Sequence, residues 1–323
     1  MKNILYTFLI ASLTSVIISC GGNDDSSGSL SSNDSTASSE SLSGNGVFIV
    51  AGLSGNILRS TNKGSSFDNA TSPTSKNLYG VSFGSNTFVV AGDNGTIVKS
   101  TDNGSSFDSV TSPTTNTLYG VGFGNNTFLA AGISGSMVKS TDSGSTWDNV
   151  TSPTTNYLRG IVFGNNSFVA VGDSGNIVRS DSGTSFDNVT SPVTTNLIGV
   201  DFGNSTFVAV GDNGTIVRST TENGSSWDNA TSPTTNNLYG VGFGNNTFVA
   251  VGDNGTIVRS TDNGSTWNNV TTPTSNFLIG VGFGYNTFVA VGTYGNILRS
   301  TDNGSSWDNA TSPTTNQLRG VGF

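Results

Sequence analysis

The chain has 323 residues, a formal net charge of −9, no histidine and a single cysteine. Without histidine there is no Ser-His-Asp triad and no imidazole metal site, and one cysteine provides neither an intrachain disulfide nor a cysteine-based zinc site. Hydrophobic residues make up 33% and there are 43 glycines, which brings the apolar content near the ~45–50% of globular domains and predicts a folded core.

The first predicted element is a secretory signal peptide at residues 1–19. Lys2 precedes an apolar stretch over residues 4–18, the charged start and hydrophobic middle of such a signal. Residues 17–20 read Ile-Ile-Ser-Cys and resemble the lipobox of bacterial lipoproteins, which implies that Cys20 carries acyl chains such as palmitate and becomes the first mature residue. The alternative is a transmembrane helix, for which the stretch is short against the ~20 residues that a span needs.

Residues 20–45 are predicted to form the lipidated cysteine and a flexible tether. After Cys20 they are mainly Ser, Gly and Asn with four acidic side chains and few apolar ones, so burial cannot offset the entropy of folding. Gly21 stands where an Asp would oppose outer-membrane sorting in the lipoproteins that this segment resembles. The resemblance implies a protein anchored in the bacterial cell envelope, at the periplasmic or surface face of the outer membrane.

Residues 46–323 consist of seven copies of a unit of about forty residues. Each copy contains four short runs that predict strands, separated by turns rich in Asn and Gly. Seven sets of four antiparallel strands predict an all-β fold, a seven-bladed β-propeller, with a β-solenoid as the alternative. An aromatic residue closes the most regular motif of each copy, at Phe67, Phe107, Trp147, Phe186, Trp227, Trp267 and Trp307.

The two ends of this repeat region are complementary. Residues 47–50 match the second strand of the unit, and residues 318–323 match its first strand. We therefore predict that the C-terminal strand completes the blade that the N-terminal strand begins, which closes the ring and which an open solenoid would not require.

The turn between the third and fourth strands carries a recurring motif. Residues 260–267 read Ser-Thr-Asp-Asn-Gly-Ser-Thr-Trp and resemble the Asp-box, or BNR repeat. The Asp is expected to accept backbone N–H bonds and the Gly to supply the turn dihedral, which is a structural role. The spacing lacks the EF-hand calcium pattern, and no metal or other cofactor is predicted. Asn62 and Glu222 replace the acid in two copies, and the predicted structural acids are Asp102, Asp142, Asp181, Asp262 and Asp302.

Asp-box propellers include sialidases, sortilin-like receptors and photosystem II assembly factors, and the chain is similar to this general class. Sialidases use an arginine cluster, an acidic catalyst and a Tyr/Glu nucleophile pair. The only glutamates here are Glu40, in the tether, and Glu222, in an Asp-box turn, so that pair is missing. We therefore predict that the protein has no catalytic residues and is not an enzyme.

A basic residue recurs on the third strand of every copy. We predict that it forms a cross-strand ion pair with the acid after the closing aromatic residue, for example Lys99 with Asp108 and Arg299 with Asp308. Residues 46–323 contain 11 basic and 17 acidic residues, and this excess of negative charge opposes binding to nucleic acid or anionic lipid. The recurring basic residues are Arg59, Lys99, Lys139, Arg179, Arg218, Arg259 and Arg299.

Departures from the common unit indicate where a binding site could lie. The loops between strands 2 and 3 and the segments entering strand 1 are expected on one face of the disc, opposite the Asp-boxes. Exposed apolar groups there are plausible contacts for a partner; the alternative is neutral drift after duplication. The candidate binding face consists of Leu53, Ile133, Tyr157, Phe277 and Tyr294.

Three further charges depart from the common unit on the first strands. Arg159 and Arg319 replace the usual Tyr or Ile, and Asp201 is an acid in a neighbouring copy. We predict an interblade ion pair for these residues, with a polar lining of the central channel as the alternative.

These observations predict a monomeric, lipid-anchored binding or scaffold module for a protein or a glycan. One alternative is a carbohydrate-active hydrolase that uses aspartates alone, which needs two carboxylates roughly 5–9.5 Å apart at one end of the channel. The other is an assembly factor for a membrane protein complex.

Overall fold

The computed structural model describes residues 46–323, and the predicted signal peptide, Cys20 and the tether lie outside this range. The described residues form seven separate four-stranded antiparallel sheets arranged as the blades of a propeller. The predicted all-β, seven-bladed architecture is therefore confirmed.

The blades follow one another in chain order, and blade 1 combines strands from both ends of the described chain. Blade 1 contains β1 (Phe48–Gly52), β2 (Ile57–Ser60), β3 (Asp68–Asn69) and β28 (Leu318–Gly322). Blade 2 contains β4 (Leu78–Gly84), β5 (Thr87–Gly92), β6 (Ile97–Ser100) and β7 (Asp108–Val110). Blade 3 contains β8 (Leu118–Gly124), β9 (Thr127–Gly132), β10 (Met137–Ser140) and β11 (Asp148–Val150). Blade 4 contains β12 (Leu158–Gly164), β13 (Ser167–Gly172), β14 (Ile177–Ser180) and β15 (Asp187–Val189).

The remaining three blades repeat the same order. Blade 5 contains β16 (Leu197–Gly203), β17 (Thr206–Gly211), β18 (Ile216–Ser219) and β19 (Trp227–Asn229). Blade 6 contains β20 (Leu238–Gly244), β21 (Thr247–Gly252), β22 (Ile257–Ser260) and β23 (Asn268–Val270). Blade 7 contains β24 (Leu278–Gly284), β25 (Thr287–Gly292), β26 (Ile297–Ser300) and β27 (Asp308–Asn309).

The ring is closed by pairing between β1 and β28, as predicted. Ile49 lies opposite Gly322 and Val50 opposite Val321 in an antiparallel ladder. The rings of Phe48 and Phe323 lie 6.1 Å apart beside this ladder. The closure gives β1 a partner on its inner edge, so that blade 1 has the same four strands as every other blade.

The second strand of each blade is buried on both faces. In β5, Phe88 and Val90 belong to the apolar cluster shared with blade 1, whereas Val89 and Ala91 belong to the cluster shared with blade 3. Alternate side chains therefore enter two different interblade cores, which is why these strands are continuously apolar instead of alternating with polar residues. The largest fully buried side chains include a phenylalanine from each blade: Phe48, Phe88, Phe128, Phe168, Phe207, Phe248 and Phe288.

Strands 2 and 3 of each blade are joined by a three-residue 3-10 turn, which we call the 2–3 turn. Its middle residue has a positive φ, for example 55° at Asn254, a conformation that Asn and Ser tolerate better than most residues. The last residue is always glycine; at Gly295 a Cβ would lie 1.8 Å from the Thr314 carbonyl oxygen. The 2–3 turns are Leu53–Gly55, Asp93–Gly95, Ile133–Gly135, Asp173–Gly175, Asp212–Gly214, Asp253–Gly255 and Thr293–Gly295.

The Asp-box turns have the predicted structural role in four blades. In blade 2, Asp102 Oδ1 accepts the backbone N–H groups of Ser105 and Ser106, at 3.1 and 3.0 Å. Ser100 Oγ donates to the same carboxylate and accepts the Gly104 N–H. Burial raises the pKa of Asp102, but these hydrogen bonds outweigh it and bring the pKa down to about 2. The four acids with this role are Asp102, Asp142, Asp262 and Asp302.

Two predictions about individual Asp-boxes are wrong. Asp181, in the copy that lacks one residue, does not cap its turn but pairs with Arg179 and accepts a bond from Ser167. The deletion moves this acid one position closer to the third strand, so its carboxylate no longer reaches the turn amides. In the copy with an extra residue, Thr221 Oγ1 accepts the Ser225 and Ser226 N–H groups. The acid is therefore replaced functionally by Thr221 and not by Glu222.

The predicted cross-strand ion pairs of the third strands are also wrong. Lys99 lies opposite Asp108 in the ladder, yet its Nζ donates to Ser145 Oγ of blade 3. Arg299 Nε donates to the Lys63 carbonyl oxygen of blade 1 at 2.8 Å. These long side chains cross to the next blade, where Arg299 reaches a turn carbonyl and Lys99 a serine hydroxyl. They therefore join neighbouring blades, including the pair at which the ring closes.

Candidate functional site

The candidate binding face lies at one end of the blades, as the strand register shows. In blade 7, Leu278 at the start of strand 1 lies opposite Gly292 at the end of strand 2. The segment that enters strand 1 and the 2–3 turn therefore lie on the same face of the disc, and the Thr293 N–H donates to the Phe277 carbonyl oxygen at 3.0 Å. We call this the turn face. The Asp-boxes lie with the hairpins between strands 1 and 2 on the other face, where Asn245 bonds to Asn303.

The five residues predicted for the candidate binding face all lie on the turn face, in two groups. Phe277 and Tyr294 belong to blade 7 and Leu53 to the adjoining blade 1, whereas Ile133 and Tyr157 belong to blades 3 and 4. Leu53 and Ile133 are partly buried. The three aromatic residues are 40%, 42% and 76% exposed, and they are the exposed large hydrophobic side chains of residues 46–323: Tyr157, Phe277 and Tyr294.

Tyr294 occupies a backbone conformation that is unfavourable for a bulky residue. Its φ is +59°, at a position where blades 2, 5 and 6 have Asn. Tyr285 also has a positive φ, but its hydroxyl accepts the Gly46 N–H and its ring packs edge-on against Phe48. No hydrogen bond or ring contact within residues 46–323 holds the side chain of Tyr294. Backbone strain of this kind, ~1–3 kcal/mol, is often found at functional sites.

Sequence reasoning missed two tyrosines, Tyr79 and Tyr119, at the start of strand 1 near the turn face. They occupy the second position of strand 1 in blades 2 and 3. Arg319 and Arg159 occupy the same position in the adjoining blades 1 and 4. The Tyr79 and Tyr119 rings lie 5.3 Å apart, Arg319 lies 5.2 Å from the Tyr79 ring centre, and Arg159 lies 5.9 Å from the Tyr119 ring centre. The four side chains form a continuous row of contacts across blades 1 to 4. The repeat alignment identifies the position, but only the ring geometry places its members in contact.

The acids of the 2–3 turns are bonded to groups at the start of strand 1. Burial, followed by the bond to Asp93, raises the pKa of Tyr79 to about 12, so that its hydroxyl remains a donor at neutral pH. Arg159 pairs with Asp173 of its own blade at 2.5 Å, so the prediction of an interblade pair is wrong for Arg159. The pair forms within the blade because the 2–3 turn begins beside the first residues of strand 1.

Asp201 and Arg319 form no ion pair within residues 46–323, so the prediction is wrong for them as well. Asp201 Oδ1 accepts the Phe202 N–H at 2.8 Å, and Oδ2 accepts the Phe243 N–H of blade 6 at 2.7 Å. Burial raises the pKa of Asp201 to about 7 despite these two bonds, because no cation compensates the charge. Asp201 thus joins two inner strands through backbone amides.

The first strands enclose a central channel with a cavity of about 180 Å³. A glycine and a Val or Ile from every blade line it, and Arg319 is the one charged residue among the lining side chains. The glycines allow the inner strands to approach closely: a Cβ at Gly280 would lie 2.0 Å from the Arg319 carbonyl oxygen. Arg319 therefore lines the channel, which was the alternative prediction for this residue.

Residues 46–323 contain no cluster of three or more Cys, Asp or Glu side chains arranged to hold a metal ion. Within the same range, none of the elements is a helix of the length and apolarity that crossing a membrane requires.

Comparison with known proteins agrees with the fold. The family described as the DUF6242 beta propeller domain matches residues 199–318, little more than a third of the chain. No curated protein matches the chain.

Solved structures of similar fold include two of YCF48. The structure described as YCF48 bound to D1 peptide has a TM-score of 0.60 and 21% identity, over 73% of this chain and 81% of that one. YCF48 from Cyanidioschyzon merolae has a TM-score of 0.60 and 16% identity, over 75% and 88% of the two chains. A chain of the nidogen/laminin complex has a TM-score of 0.57 and 12% identity, over 86% and 98%. At these identities the similarity is one of fold, and the fold is the β-propeller.

Proposed function

We propose that the protein is a lipid-anchored, extracytoplasmic binding module that holds a segment of another protein on the turn face and catalyses no reaction. The observation that carries this proposal is the position of its exposed aromatic residues. Among residues 46–323, Tyr157, Phe277 and Tyr294 are the exposed large hydrophobic side chains, and all three lie on that face. Exposed aromatic side chains are enriched at protein interfaces, where they provide much of the binding free energy.

The non-catalytic part of the proposal is supported by the state of the acids on the turn face. A glycosidase uses two carboxyl groups, one as acid and the other as base or nucleophile. Here the acids of the 2–3 turns are all engaged by neighbouring side chains. The bonds run from Tyr79 to Asp93, from Arg159 to Asp173, from Asn196 to Asp212 and from Tyr239 to Asp253.

A protein partner is supported over a glycan by a protein of similar fold. One structure with this fold is described as YCF48 bound to D1 peptide, so a propeller of this kind can hold a peptide. The predicted acylation of Cys20 would keep the module at a membrane, where assembly of a membrane protein complex is one use for it. That more specific role requires a client, and the binding proposal does not depend on it.

The proposal is tested by selecting ligands on the full-length protein. A phage-displayed library of twelve-residue peptides is selected against the detergent-solubilised chain, and the enriched peptides are measured by fluorescence anisotropy. We expect binding to weaken at least thirtyfold in the variant Tyr157→Asn, Phe277→Asn, Tyr294→Asn, because two aromatic contacts of about 1 kcal/mol each correspond to that factor. A glycan array is probed in parallel.

A control variant changes the opposite face. Thr61→Ala, Thr101→Ala, Thr301→Ala alters three exposed residues beside the Asp-boxes and should leave peptide affinity unchanged. Equal binding by both variants would show that the turn face is not the site. Release of a cleaved glycan product would contradict the non-catalytic assignment.

A further inference from the structure

Each blade offers a pair of positions where strand 1 meets the 2–3 turn on the turn face. Where the turn begins with Asp and strand 1 carries a donor at its second position, the two are bonded. Tyr79 donates to Asp93 at 2.8 Å, Tyr239 to Asp253 at 2.6 Å, and Arg159 to Asp173 at 2.5 Å. The common unit thus provides an internal carboxylate for a donor at this position.

Blade 1 has the donor but not the carboxylate. Arg319 occupies the second position of β28. Leu53 occupies the first position of the 2–3 turn, which in blade 4 is held by Asp173. Arg319 Nε is buried and has no hydrogen-bond partner within residues 46–323. One terminal nitrogen donates to Gln317 Oε1 at 3.3 Å. A buried donor without an acceptor is costly, and the same position is filled in other blades by Tyr or Ile without that cost.

Within residues 46–323, neither neighbouring blade supplies a carboxylate to Arg319. Blade 7 has Thr293 at the turn position and Ile279 on strand 1. In blade 2, Asp93 is already bonded to Tyr79 and to Asn77. The guanidinium carbon lies over the Tyr79 ring, 5.2 Å from its centre, and a guanidinium group can donate two N–H bonds to one carboxylate.

We propose that Arg319 receives the carboxylate of an Asp or Glu side chain from a bound protein segment. This deepens the proposed function and rests on it, because the segment is the one held by the turn face. The apolar groups in this region favour a peptide over an acidic sugar: the Leu53 N–H donates to the carbonyl of Gln317, two residues before Arg319, and Phe277 and Tyr294 are exposed on the adjoining blade. The ligand acid takes the place that Asp173 occupies beside Arg159.

The test uses the peptides selected on the full-length protein. We expect the enriched peptides to contain an Asp or Glu beside apolar residues, and replacing that acid by Asn or Gln should weaken binding at least tenfold. Arg319→Gln should have the same effect on the acidic peptide and little effect on its amide counterpart.

A second pair of variants separates the contact from general damage. Leu53→Asp gives blade 1 the carboxylate that blade 4 has, so it should occupy Arg319 and abolish binding of the acidic peptide. Thr61→Asp introduces the same charge in the same blade, at an exposed residue of the Asp-box face, and should leave the affinity within twofold. Thermal unfolding of each variant shows whether the fold is retained, and Arg319→Gln provides the result if Leu53→Asp does not fold.

The outcomes distinguish this inference from the proposed function. If the selected peptides bind through Tyr294 and Phe277 but tolerate the loss of their acid and of Arg319, the carboxylate contact is refuted while the binding face stands. If no peptide is enriched, both the carboxylate contact and the proposed binding function are refuted. If polygalacturonate binds in an Arg319-dependent manner and acidic peptides do not, the assignment of a protein partner is wrong.

Discussion

Asp201 makes the stability of the propeller depend on pH in a direction opposite to that of most acids. Its pKa in the folded protein is about 7, against 3.8 as the ordinary value. The folded state therefore binds the proton more tightly than the unfolded state. The stabilisation from this group is fully present below pH 3.8 and is lost as the pH rises through 7.

The size of the effect follows from the shift. About three pKa units at 1.36 kcal/mol each give an upper limit of ~4 kcal/mol. Asp201 keeps partial solvent exposure, and solvent screening brings the effect below this limit. We therefore expect the free energy of unfolding to fall by about 1.5–3 kcal/mol between pH 4.5 and pH 8.

Urea unfolding of the full-length chain at a series of pH values measures this change. The buried tryptophans at the ends of the Asp-boxes, such as Trp227 in blade 5 and Trp267 in blade 6, report unfolding by fluorescence. The chain contains no histidine, the residue whose ordinary pKa lies in this interval, so the background is low.

Two variants and a control decide the matter. Asp201→Asn and Asp201→Gly, the latter with the residue that blades 3 and 6 have at this position, should make stability nearly constant from pH 4.5 to pH 8. Asp108→Asn, at an exposed acid on β7, should keep the wild-type slope. A flat wild-type profile, or a slope that survives in Asp201→Asn, would refute the reasoning.

Four further predictions concern other parts of the chain. Arg299→Met should lower the free energy of unfolding by about 1 kcal/mol in urea titrations, because it removes the bond to Lys63 at the closure of the ring. Tyr294→Asn should leave that free energy unchanged or raise it, since Asn tolerates the positive φ, while peptide affinity falls in anisotropy measurements. Cys20→Ala should move the protein from the membrane to the soluble fraction, and mass spectrometry of the wild type should show acyl chains on the first mature residue. The Asp-box acids have lowered pKa values in the folded protein, so their stabilisation should be lost below pH 4 as they are protonated. Urea titrations from pH 4 to pH 2 should show a shallower decline in the free energy of unfolding when Asn replaces all four acids, Asp102, Asp142, Asp262 and Asp302.

The fold could be predicted from the sequence because its information is local and repeated seven times. Strand runs, Asn-Gly turns and the Asp-box recur in every copy, and the complementary ends define the closure that pairs Ile49 with Gly322. The turn face followed from the same register, which placed Phe277 and Tyr294 on it. Contacts of this kind lie within one unit, so one copy is sufficient to infer them.

Contacts between units were not predictable in the same way. Lys99 lies opposite Asp108 in its own ladder, yet the relevant partner, Ser145, lies in the next blade. The contact between Arg319 and the Tyr79 ring likewise joins residues 240 positions apart in the chain. The strand register of one unit does not give the distance between neighbouring blades. These long side chains reach from one blade to the next, so the geometry of the ring is needed to assign their partners.

The distribution of the apolar departures argues against neutral drift as their origin. Drift after duplication acts on both faces of the disc alike, because the exposed turns on either face tolerate substitution. On the Asp-box face the one large aromatic departure, Tyr285, is held by Gly46 and Phe48 and so has a structural role. On the turn face Tyr294 accepts the same backbone strain with no such contact within residues 46–323, in the blade beside Arg319, whose Nε has no partner in that range. Strain without an internal compensating contact is expected where the compensating contact comes from a ligand.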